Sequence, residues 1–71
     1  MRYGELVRRL RKLGCEYDRP AGGSHEIWWN PQTGGRAVIP KHKGREIPTG
    51  TLTSILKDLQ ISPDLFWRRR K

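Results

Sequence analysis

An α+β domain in the order helix, three strands, helix is predicted by three observations. A leucine stripe (Leu6, Leu10, Leu13) opens the chain at spacings of four and three. Three short segments follow, each bounded by glycine or proline punctuation. A second apolar stripe (Leu52, Ile55, Leu56, Leu59) comes after them. At 71 residues the chain has the length of one domain, with no repeat or linker, so residues 1–71 are read as one unit. Each helix carries a single apolar stripe, and the chain is too short to build two cores. Both helices are therefore expected on one face of a three-stranded antiparallel sheet.

The first helix is expected over residues 2–13, with Tyr3 and Val7 widening its stripe. Arg2, Glu5, Arg9 and Lys12 fall opposite, with Glu5 four residues before Arg9, the favourable order for an exposed pair. This basic side is either a solvated face or a phosphate contact. Gly14 reads as the residue past the last turn, where a left-handed conformation is cheap. Cys15, Tyr17 and Arg19 alternate with Glu16 and Asp18 in a first strand that Pro20 should end, with Ala21-Gly22-Gly23 as a turn. A second strand runs from about Ser24 to Trp29. Asn30 to Gly35 is a loop by composition, and a third strand spans Arg36 to Ile39, ending at Pro40. A charged connection, Lys41 to Glu46, leads through Ile47-Pro48 to the second helix, with Thr49 as its cap. Ser62-Pro63 starts a terminal helical turn in which Phe66 or Leu65 closes the core. Arg68 to Lys71 is a basic tail, expected to fray and to add non-specific phosphate attraction.

Fifteen Lys/Arg against seven Asp/Glu give a net charge of +8 and a pI near 10.6. A surface this cationic attracts a polyanion, so nucleic acid is the leading partner class. An acidic protein partner is compatible, because it can occupy the same surface. The lone Cys15 forms no internal disulfide and reads as a half-buried apolar residue, in keeping with a reducing, cytoplasmic setting. No Cys/His set has zinc spacing, the acidic residues show no motif for a divalent metal, and the glycines form no P-loop. No metal or cofactor is expected. No apolar run approaches a membrane span, and no secretory leader is evident.

Chemistry concentrates at Gly22-Gly23-Ser24-His25. Histidine titrates nearest neutrality, so it can accept and return a proton at cell pH. RNA carries its own nucleophile, the 2′-hydroxyl, beside each phosphate. A base, nearby cations and an acid for the leaving oxygen suffice to cleave it without metal. His25 is the candidate proton carrier, with Arg36, Lys41, Lys43 and Arg45 as candidate phosphate cations. Gly23 lets a phosphate backbone approach, and Ser24 can donate to it. His42 is a candidate second proton carrier or phosphate ligand. Taken alone, His25 is more simply a surface strand residue, and its glycine and serine neighbours are what raise it above that. Along the second strand His25, Ile27 and Trp29 share one side, while Ser24, Glu26 and Trp28 share the other. One tryptophan must pack under the helices, and either assignment is open from pattern alone. If His25 is exposed, parity buries Trp28, the assignment preferred here, and leaves Trp29 to stack on a base or meet a partner.

Gly23-Ser24-His25, then Pro40-Lys41-His42, then Gly50-Thr51-Leu52-Thr53-Ser54-Ile55-Leu56-Lys57, in this order within a short basic chain, resemble the HicA toxin family of type II toxin–antitoxin systems. The resemblance runs from the first helix through Ile61-Ser62-Pro63. It implies a fold similar to a double-stranded-RNA-binding domain and an mRNA interferase that cleaves transcripts independently of the ribosome. It implies His25 as the catalytic histidine, with His42 and the helix opening Gly50-Thr51-Leu52 at the family's matching positions. It also implies a HicB-like antitoxin that masks the active surface and carries the DNA-binding part, so any operator contact is indirect. The chain departs from the family pattern at Cys15, where an aromatic residue is common, with Tyr17 two positions on. The Asn30 to Gly35 loop and the tail from Trp67 are individual as well. These departures bear on stability and partner fit, and an active toxin is expected. The alternative is a non-catalytic double-stranded-RNA-binding module, which suits the fold, charge and tryptophans and needs no histidine.

Overall fold

The computed structural model describes residues 1–42 and 44–68. Lys43 and the tail residues 69–71, both singled out from the sequence, lie outside them. The elements run α1 (Tyr3–Lys12), β1 (Glu16–Gly22), β2 (His25–Trp29), β3 (Arg36–Pro40), α2 (Thr49–Asp58) and a short α3 (Pro63–Phe66). The sheet is an antiparallel meander in the order β1-β2-β3.

Helix α1 buries Leu6, Val7 and Leu10 of the expected stripe, leaves Tyr3 and Leu13 partly buried against the core, and pairs Glu5 with Arg9 at 3.3 Å on its other side. Gly14 takes φ +93°, and the Cys15 N–H returns to the Leu10 carbonyl at 2.9 Å, closing the helix end. Cys15 then falls inside the core at 2 % exposure, deeper than expected, and burial pushes its thiol pKa up to about 11. The thiol stays protonated at neutral pH and packs as a small apolar group.

Strand β1 departs from expectation. It begins after Cys15 and runs through Pro20 to Gly22 instead of stopping at the proline. β1 is an edge strand, so a missing N–H is tolerated, and irregularities between Tyr17 and Arg19 and between Pro20 and Gly22 absorb the misfit. The turn is consequently shorter, Gly23-Ser24 between paired Gly22 and His25. Gly23 has φ +55° while Ser24 has negative φ, the sign pattern of a II′ hairpin turn. Helix α2 differs at its start: Pro48 is the cap position, Thr49 is already helical, and no side chain caps it. At α3 the Ser62 hydroxyl accepts from the Leu65 N–H at 3.1 Å, and Phe66, not Leu65, closes the core.

The core lies between one sheet face and the helices. Trp28 and Ile39 from the sheet and Leu6, Leu10 and Leu59 from the helical side are all fully buried. Cross-strand pairs Trp28↔Ala37 and Glu26↔Ile39 define that inner face. The other face carries His25, Ile27 and Trp29 of β2 beside Arg36, Val38 and Pro40 of β3. Both long helices thus pack on one side, in a fold like that of double-stranded-RNA-binding domains.

Candidate active site and nucleic-acid interface

The II′ turn hands the chain straight into β2, so His25 is the first strand residue and stands exposed on the open face. Pairing of His25 with Pro40 sets the end of β3 against it. The Lys41 N–H then donates to the Ser24 carbonyl at 2.6 Å, extending the contact one residue beyond the strands. His42 follows, and its ring centroid lies 6.0 Å from that of His25 at an interplanar angle of 85°. The fold therefore brings together two histidines seventeen positions apart in sequence, beside the Gly23-Ser24 turn. A Cβ added at Gly23 would meet nothing within 4 Å, so glycine is required there for its φ and not for space.

The candidate cations separate. Arg45 donates its backbone N–H to the His42 carbonyl at 3.2 Å. With His42, Glu46 and Ile47 it lines a depression of about 200 Å³, closed by Pro40 and by Pro48, the cap position of α2. Gly50 and Thr51 therefore sit in the first turn of a helix that begins at this depression, and Leu52 is buried beneath it. Lys41 sits beside the histidines through its backbone, but its ammonium lies 3.7 Å from Glu26 and 5.9 Å from the centre of the Tyr3 ring, toward the inner side of the sheet. Arg36 is not at the histidine corner. It pairs with Trp29, four residues along β2 from His25, or roughly 13 Å at strand rise. Its guanidinium bonds to Asp18 and lies 5.3 Å from the centre of the Trp29 ring. Trp29 is half-buried under this cation, while Trp28 is 1 % exposed. Parity assigns the tryptophans as preferred from the sequence.

Glu26 escaped the sequence reading. On inner-face parity, it accepts from the Tyr3 hydroxyl at 2.5 Å and from the Trp28 indole N–H at 3.1 Å, with Lys41 nearby. Burial pushes its pKa upward, but these two hydrogen bonds and the lysine charge outweigh it and hold the carboxyl below its ordinary value. Tyr3 is pushed up to about 12 by burial and then by the hydrogen bond to, and charge of, Glu26. An acidic residue alternating with core positions was the available signal, but its partner lies twenty-three positions away.

Among the described residues no three His, Cys, Asp or Glu side chains gather as a metal site. No helix is long and apolar enough to cross a membrane. The corner so assembled offers two imidazoles beside the exposed, positive-φ Gly23-Ser24 turn, with Arg45 lining the depression next to His42. That set can move protons at, and neutralise, a phosphodiester. Comparison with family models returns a match over residues 3–61 to the family described as "HicA toxin of bacterial toxin-antitoxin". Neither the curated proteins nor the solved structures yield a match.

Proposed function

Since the chain belongs to the HicA toxin family, we propose that it is an mRNA interferase, cleaving RNA without metal and without the ribosome, and neutralised by a HicB-like antitoxin. The observation that carries this reading is the pair of imidazoles 6.0 Å apart at the Gly23-Ser24 turn. His25, in the family's Gly-Ser-His position, takes the proton of the 2′-hydroxyl. The freed oxygen attacks the adjacent phosphorus, and the bond to the 5′-oxygen breaks as that oxygen is protonated. The products are a 2′,3′-cyclic phosphate and a 5′-hydroxyl. His42 carries the second proton or holds a phosphate oxygen. Gly23 and Ser24 receive the backbone, and Arg45 and Lys43 supply positive charge, with Lys41 joining them once its ammonium turns from Glu26. Arg36 and Trp29 serve farther along the open face, as an RNA or antitoxin contact. The 71 residues act as one domain in the cytoplasm, and DNA is reached only through the antitoxin.

Purified protein and its His25→Ala variant, incubated with a labelled mRNA fragment in EDTA, test this. Wild type should cut to cyclic-phosphate ends, and the variant should bind equally but cut about 10²- to 10⁴-fold more slowly. A variant cutting at the wild-type rate, or 5′-phosphate ends, would overturn the mechanism. Binding without turnover by either protein would mark a recognition module instead.

A further inference from the structure

We propose that the groove between α1 and α3 is a second, non-catalytic RNA site that holds the same strand away from the histidine corner. This rests on the RNA-cleaving reading above. The groove encloses about 570 Å³, well above the depression at His42, and is lined by Arg8, Arg9, Lys12 and Arg68 over Leu13, Leu65 and Phe66. It belongs to the helical layer, whereas His25 is on the opposite, open face of the sheet.

Arg8 and Lys12 are four residues apart, so they share a helix face with about 6 Å of axial rise between them. Among the described residues, Arg8, Lys12 and Arg68 have no carboxylate within ion-pair reach. Three cations converging on one groove repel one another, and a polyanion relieves that repulsion. Arg9 is different. It is held by Glu5 and by the Phe66 carbonyl at 3.4 Å, its guanidinium 5.6 Å from the centre of the Trp67 ring, and so fixes the groove wall. Leu65 and Trp67 remain 42 % and 48 % exposed, giving sugar and base an apolar surface beside the cations. RNA is favoured over an acidic protein segment because a strand bound at His25 is already tethered. Linkage raises its effective concentration at any second cationic groove it can reach.

The test compares Arg8→Gln/Lys12→Gln/Arg68→Gln with the parent. Binding is read in a His25→Ala background, so the result does not depend on whether His25 is catalytic. RNAs of about 16 and about 4 nucleotides span the range of single-strand site sizes. The triple variant should bind the long RNA about 10-fold or more weakly at low salt, with the log–log salt slope reduced by about 2, three phosphates at ~0.7 each. With His25 intact, kcat/KM on the short RNA should not change. Equal losses on long and short RNA, or none on either, would overturn the proposal. So would unchanged RNA binding with lost inhibition by the antitoxin, which marks a protein-docking groove. If the triple variant melts early, the exposed pair Arg8→Gln/Lys12→Gln alone must reduce the slope by about 1.4.

Discussion

Glu26 shows how much one side chain can organise around a site it does not enter. Its carboxylate holds Tyr3 of α1, the indole of the core's largest side chain and the ammonium of Lys41, the residue between Pro40 and His42. Because its pKa is lowered on folding, its contribution to stability is present above the ordinary carboxylate value of about 4.3 and is lost as pH falls through the folded value. The melting temperature should accordingly drop on acidification below about pH 4.3, and Glu26→Gln should flatten that drop while lowering stability at neutral pH. A variant with the wild-type acid profile would show that the carboxylate is not linked to folding. His25 and His42 stand out as candidates in the sequence because histidine is chemically conspicuous and the glycine turn and Pro40 fix where each falls. Glu26 does not, since its role depends on a tyrosine brought near only by helix packing. Lys41 was legible as a cation but not in direction, for the same reason.

At the level of elements, the segment from Asn30 to Gly35 is the clearest case of structure hidden under loop composition. Asn30 is buried at 3 % exposure. Its amide donates to the Leu59 carbonyl at the end of α2 at 3.0 Å, and its side-chain oxygen accepts from the Gln32 N–H. Thr33 donates to the same Leu59 carbonyl. Gly35 lies so close to that helix end that an added Cβ would come within 3.0 Å of the Leu59 Cα. The loop is thus a clamp on α2, and Asn30→Ala should lower unfolding free energy by about 1–3 kcal/mol in denaturant titration, through unpaired buried groups. Gly35→Ala should also destabilise, since the backbone of α2 must move; wild-type midpoints for both would refute the clamp. Turn residues reveal that a chain bends, not what the bend touches, which is why these contacts were missed. The helices were legible by contrast, because a 3.6-residue period reports burial directly. β1 was misjudged at its far end because proline's effect depends on whether the strand is an edge.

For the molecule as a whole, charge and layering act together. The chain carries a net charge of +8, and among the described residues cations line the open sheet face at Arg36, the depression beside His42 at Arg45 and the helical groove at Arg8, Lys12 and Arg68. RNA affinity should therefore fall linearly in log Kd against log salt, with a slope of about 0.7 for each single-strand phosphate contacted. A flat dependence would mean that these cations are not the RNA surface. Fold order, sheet order and the side on which both helices pack were all readable, since stripe width and chain length leave one arrangement. The meeting of residues 8, 12 and 68 was not, because it depends on how α3 docks.

The proline and paired irregularities in β1 bear on how these molecules behave in a crowd. A neighbouring chain seeking to zip onto that border finds a missing donor at Pro20 and a broken rhythm on either side of it. Among the described residues the other border is the five-residue β3, regular in its pairing and ending at Pro40, and there two copies would meet with like charge. Cross-β stacking is thereby discouraged from both sides, which leaves the open face free to be accessible without becoming adhesive.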